Sequence, residues 1–132
     1  MGMYNHNQTY KFGDVGHYEK ELLHTITCKR FAFDYASKII DLFPDGKFWT
    51  DSRHKHIYEV IKKVVSDDKH PDIIAVFLYA EKMKYQEKVG DAQYLASIWT
   101  EASFGDVELL TGYLADLARE RIKEEINATK NK

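Results

Sequence analysis

Proline and glycine in this chain fall almost entirely between segments whose apolar residues recur at helical spacing. Proline occurs only at Pro44 and Pro71, and glycine at positions 2, 13, 16, 46, 90, 105 and 112. Proline removes an amide and clashes with the preceding turn, and glycine costs about 1 kcal/mol against alanine inside a helix. Long segments free of both can therefore be helical, and only Gly112 lies within such a segment. The pattern predicts an all-α fold, a single compact bundle of about six helices with the last one long and partly projecting. The helical domain spans residues 17–127, between a flexible polar tail over 1–16 and a flexible end over 128–132.

The first predicted helix runs from about His17 to Cys28 on a stripe of Leu22, Leu23 and Ile26. The second covers about Phe31 to Leu42, with Ala32, Tyr35, Ala36, Ile39, Ile40 and Phe43 facing inward. No breaker separates the two at Lys29-Arg30, so they can run on as one. Pro44-Asp45-Gly46 is a turn signature. A third helix starts near Asp51, a natural N-cap, and carries Ile57, Val60, Ile61, Val64 and Val65 at i, i+3, i+4, i+7, i+8. A polar loop ends at Pro71, and a fourth helix follows from about Asp72 to Glu87, with Ile73, Ile74, Phe77, Leu78 and Met83 inward. Gly90 breaks it. Asp91 caps a fifth helix through Trp99, with Ala92, Tyr94, Leu95, Ile98 and Trp99 on its buried face. Gly105-Asp106 repeats the device before a sixth helix from Val107 to about Asn127, striped by Leu110, Leu114, Leu117, Ala118, Ile122 and Ile126.

Charge narrows the function. A net charge of −2 and a hydrophobic content of 44% describe a soluble globular chain without the basic excess of a strong nucleic-acid binder. No run approaches membrane-spanning length, and the single cysteine, Cys28, permits no internal disulfide and favours a reducing, cytoplasmic setting.

Six histidines invite a metal reading. His54 and His56 point to different faces, His17 and His24 have only Glu21 nearby, and no His-x-x-x-His pair carries a carboxylate base. His54 sits beside the third helix's stripe and is expected to hydrogen-bond to a neighbouring helix. Cys28, followed by Lys29 and Arg30, reads as a buried, inert thiol at a helix C-terminus. The clusters Arg53-His54-Lys55-His56 and Lys62-Lys63 are offset by Asp51, Glu59, Asp67 and Asp68, as on a solvated helix face. Phe31, Phe33, Tyr35, Phe43, Phe48 and Trp49 concentrate aromatic surface at helical spacing, for a core or for docking.

Taken in order, several short motifs resemble the N-terminal domain of the DnaB-type replicative DNA helicase over roughly Tyr18 to Glu125. Glu19, Glu21, Leu22 and Leu23 match its first helix. Phe48-Trp49, then His54 and Ile57, match an aromatic pair ahead of a His-x-x-Ile helix. Asp72 matches the start of the next helix, and Gly90 with Tyr94-Leu95 match a Gly-Gly-x-x-Tyr-Leu element whose second glycine is here Asp91. Tyr113 and Arg119 or Arg121 match the last helix. The segment Lys29 to Leu42 departs from the family, and the sequence holds no Gly-x-x-x-x-Gly-Lys-Ser/Thr phosphate loop.

The resemblance implies a non-catalytic assembly and docking domain that pairs subunits in a hexamer collar and docks primase, with the motor domain absent from this chain. Phe48, His54, Ile57, Asp72, Gly90, Tyr94 and Leu95 would be structural. Leu110, Tyr113, Leu114, Leu117 and Arg121 would face the same helix of another copy. Expected partners are a homodimer or higher homo-oligomer, primase and helicase subunits, with weak or indirect DNA contact, no membrane, no cofactor and no metal. Two alternatives stay open: a free-standing adaptor or inhibitor of a helicase, and a helical regulator contacting DNA through its third helix.

Overall fold

Aspartate starts five of the six α-helices in the computed structural model, which describes residues 14–130. The helices are α1 (Val15–Cys28), α2 (Arg30–Ile40), α3 (Ser52–Ser66), α4 (Ile73–Lys82), α5 (Ala92–Thr100) and α6 (Val107–Lys130), with a 3-10 turn at Pro44–Gly46. There is no strand among the described residues, and none of these helices is long and apolar enough to cross a membrane. Residues 1–13 of the predicted tail, and the last two positions of the chain, lie outside the described residues.

Each cap works the same way. A carboxylate oxygen accepts from an amide of the first turn: His17 on Asp14 at 3.2 Å, Arg53 on Asp51 at 2.9 Å, Ala75 on Asp72 at 2.8 Å, Tyr94 on Asp91 at 2.7 Å and Leu109 on Asp106 at 3.0 Å. Such a cap contributes about 1 kcal/mol and favours one starting register. Helix α2 is the exception. Lys29 precedes it with extended backbone and no side-chain cap. The first two helices are therefore separate, because the α1 stripe and Ala32, Phe33, Ala36 and Ile40 of α2 reach one core only if the chain turns at Lys29.

Helix α1 lies at the centre, packing on α2, α3, α5 and α6, while α4 closes over α3 and α5. Leu22, Leu23, Ile26, Phe48, Ile57, Val60, Ile61, Val64, Ile98 and Leu114 form the fully buried heart. From Lys123 to Lys130 every residue of α6 is exposed; Glu125 still reaches Lys47 in an ion pair at 2.8 Å, so only the end beyond it projects from the body.

Several expectations need correction. Helix α4 ends at Lys82, not Glu87. Lys84 turns left-handed (φ 62°), its amide donates to Glu81 O at 3.1 Å, and the Tyr85 amide donates to Ala80 O at 2.8 Å. This is a Schellman closure on a lysine instead of a glycine. The Tyr85 hydroxyl then donates to Glu59 of α3 at 2.9 Å, which holds the turn. Helix α3 stops the same way on Asp68 (φ 65°).

The inward face of α4 is Val76, Tyr79 and Ala80, whereas Ile74 and Leu78 are 62% and 54% exposed. The segment is apolar nearly all round, so spacing could not choose a face. Tyr79 fixes it by donating its hydroxyl to Asp67 at 2.8 Å. In α2 the buried ring is Phe33 and Tyr35 faces water. Ala92 and Ile126 are also exposed, and so is Cys28, whose position at the end of α1 faces away from the core.

Candidate functional site

The motif residues converge on a buried polar node joining three helices. Glu19 of α1 and His54 of α3 are 0% and 1% exposed. One Glu19 oxygen lies 2.7 Å from His54 Nδ1, and His54 Nε2 lies 2.6 Å from the Tyr94 hydroxyl of α5. An ionised carboxylate can only accept, so a neutral imidazole carries its proton on Nδ1 and accepts at Nε2 from the Tyr94 hydroxyl. The other Glu19 oxygen accepts from the Thr50 amide at 2.7 Å and the Thr50 hydroxyl at 2.8 Å. A buried carboxylate with this many donors is satisfied, which is the condition for keeping it inside.

A second layer covers the node. The Arg53 guanidinium sits 3.7 Å from the centre of the Tyr94 ring and pairs with Asp51 at 2.7 Å. That hydrogen-bonded pairing holds the Asp51 carboxyl down at about 2, while burial pushes the Tyr94 hydroxyl up to about 12. Tyr94 therefore keeps its proton and spends it on His54. The Glu–His–Tyr series has the outline of a proton relay, but its terminal hydroxyl is not activated as a nucleophile. Its physical effect is to lock α1, α3 and α5 in one arrangement.

Gly90 and Asp91 set up Tyr94. Gly90 has φ 89°, and a Cβ there would meet Tyr94 side-chain atoms at 3.0 Å. Asp91, where the family carries a second glycine, has φ −105° and ψ −178°, an extended conformation open to any residue, and caps α5. Phe48, Ile57 and Leu95 join the common core, with Phe48 edge-on to Phe43 and Trp49 at 5.6 and 4.9 Å. Asp72 stands apart as the cap of α4. The sequence reading placed Glu19 in a motif without assigning it a partner. Its spacing with Leu22, Leu23 and Ile26 put it on the apolar stripe of α1, and a charge there signals a buried partner.

The α6 residues separate into two groups. Leu114 is 1% exposed within this chain's own core, and Leu110 and Leu117 are half-buried. The Arg121 guanidinium donates to the carbonyls of Lys47 at 2.9 Å and Phe48 at 3.1 Å, next to a Lys47–Glu125 ion pair at 2.8 Å. Tyr113 is 43% exposed and meets Tyr18 edge-on at 5.5 Å. Leu109, which the sequence reading did not select, is the most open apolar residue of the helix at 73%. Gly112 beside it has nothing within 4 Å of where a Cβ would stand, which leaves a flat, accessible strip.

Among the described residues, no group of three or more His, Cys, Asp or Glu is placed to hold a metal ion. The fold and node together define a helical scaffold with one buried polar node and exposed apolar side chains on α2, α4, α6 and the loops beside them. The family model for the DnaB-like helicase N-terminal domain matches residues 16–122, and the chain belongs to that family. No curated protein and no solved structure matches the chain.

Proposed function

We propose that this chain is an assembly and docking unit of a replicative DNA helicase, pairing with a second copy through the outer face of α6 and presenting the helical body to primase and helicase subunits. One observation carries the reading: α6 exposes Leu109 and Tyr113 one turn apart on its outer face, and its end beyond Glu125 projects from the body. Apolar groups left in water on a projecting helix favour a covering partner. Within this proposal Tyr113 contacts the second copy directly. Leu110 and Leu117 rim the contact, and Leu114 and Arg121 hold α6 against the body that presents it. The unit hydrolyses nothing and takes no cofactor, in keeping with a sequence that holds no phosphate loop.

The regulator alternative loses its support on α3. Arg53 is tied to Asp51, Lys62 to Asp41 and Lys63 to Asp67, and the His56 ring bonds the Ser52 carbonyl. The apolar side of α3 is core. Few groups remain there to read a groove. Sedimentation velocity of the chain alone, with a DnaB-type helicase and with primase tests the proposal. The expected result is a self-paired species that co-sediments with one or both. A monomer that co-sediments with neither would refute it.

A further inference from the structure

The α1–α2 junction carries a feature that the assembly reading leaves unused. A cleft of about 210 Å³ opens there between the end of α1, the start of α2 and the α3–α4 loop. Lys29, Arg30, Lys69 and His70 line it, with Asp68 as its carboxylate and Pro71 on its wall. At about 30 Å³ per water it has room for a phosphate with part of a sugar.

Lys29 and Lys69 have no carboxylate within ion-pair distance among the described residues, a property they share with Lys38, Lys55, Lys82, Lys84, Lys88 and Lys130; Lys29 differs from these in standing between two open aromatic rings. Arg30 shares its charge with Asp34 at 3.0 Å, and both side chains are more than half exposed. Two aromatic rings stand in water beside these charges. Phe31 is 63% exposed and Phe104 53%, and the Lys29 ammonium sits 5.8 and 5.4 Å from their ring centres. Neither ring is needed by the core.

We infer that this junction is a weak binding site for single-stranded nucleic acid, with a backbone phosphate in the cleft between Lys29, Arg30 and Lys69 and neighbouring bases against Phe31 and Phe104. Unpaired cations next to open aromatic faces are what an unpaired strand needs: charge for the backbone and a π-face for each base. A duplex keeps its bases stacked on one another and has no use for the rings. A phosphorylated peptide uses the cations but not two exposed rings. The overall charge of −2 keeps the site weak and sensitive to salt.

Anisotropy of a fluorescein-labelled 15-mer of thymidine, titrated with the full chain, tests this. Three phosphate contacts at about 0.7 each give a log–log salt slope near −2, so going from roughly 50 to 200 mM salt weakens binding about 16-fold. Lys29→Glu with Lys69→Glu should weaken binding at least tenfold and flatten the slope. Phe31→Ala with Phe104→Ala should weaken it at least about fivefold per ring while leaving the slope unchanged. Lys84→Glu with Lys88→Glu, the same charge change on the α4–α5 loop, should cause less than a third of the loss seen with Lys29 and Lys69. All these side chains are at the surface, and circular dichroism confirms that each variant folds. The inference is overturned by no saturable binding at 50 mM salt, by an equal loss in the Lys84/Lys88 control, or by wild-type binding in the Phe31/Phe104 variant. Displacement of the oligonucleotide by a phosphopeptide of equal charge at lower concentration than unlabelled strand would equally overturn it.

Discussion

Glu19→Ala removes the central acceptor of the node, and the structure sets the size of the effect. Three hydrogen bonds of 2.7, 2.7 and 2.8 Å end on this carboxylate. Thr50 is exposed and can rehydrate, so its loss is near the ordinary net value of about 1 kcal/mol. His54 is sealed, and its stranded Nδ1–H costs about 1–3 kcal/mol. The space vacated, roughly 60 Å³, adds about 1.4 kcal/mol at 24 cal/mol per Å³. The expected destabilisation is about 4 kcal/mol, a large part of the 5–15 kcal/mol typical of a domain. In melting temperature that is about 15 °C for a chain of this length. Urea denaturation followed by circular dichroism measures it. Tyr94→Phe, which leaves His54 Nε2 without its donor, should lose about 1–3 kcal/mol. Because both act through His54, the double variant should lose less than the sum, by at least 0.5 kcal/mol. A loss below about 1 kcal/mol for Glu19→Ala, or strict additivity with Tyr94→Phe, would show that the node does not hold the three helices together.

Asp51 supplies a pH test. Its folded pKa of about 2 lies below the ordinary 3.8, so its ion pair with Arg53 adds stability above about pH 4 that disappears as pH falls through 2. Asp51→Asn keeps the cap and removes the charge; it should be less stable than the parent at pH 6 and equal to it near pH 2, by denaturant titration. Gly90→Ala forces a Cβ into positive φ against Tyr94 and should lose about 1–3 kcal/mol, with the same urea assay as readout. Cys28 is exposed, so one thiol per chain should react with Ellman's reagent in the native state, without denaturant.

The helices were legible in the sequence wherever a breaker and a cap stood together. Gly90-Asp91 and Gly105-Asp106 announce α5 and α6, and Asp51 announces α3, because short polar side chains compete for the free amides of a first turn. The ends of α3 and α4 were harder. Asp68 and Lys84 adopt the left-handed conformation that sequence reading assigns to glycine, and what holds them there is distant: Tyr79 on Asp67 and Tyr85 on Glu59. The face of α4 was unreadable for a related reason, since a helix apolar all round is oriented by its polar anchors and not by its stripe. The candidate site was half legible. His54 was expected to reach a neighbouring helix, and it reaches two. Leu114 and Leu109 show the limit: the stripe of α6 selected the leucine that this chain buries, while the exposed leucine lies off the stripe.

In the function proposed above, the outer face of α6 joins two copies. Sedimentation equilibrium of the parent, of Leu109→Glu with Tyr113→Glu, and of Ile74→Glu with Leu78→Glu tests it directly, since all four side chains are exposed and the two pairs charge different faces, with circular dichroism to confirm that each variant folds. The expected result is a self-association constant weakened at least about 100-fold by the α6 pair, roughly 3 kcal/mol, and unchanged by the α4 pair. Self-association that survives the α6 pair and is lost with the α4 pair would contradict the account.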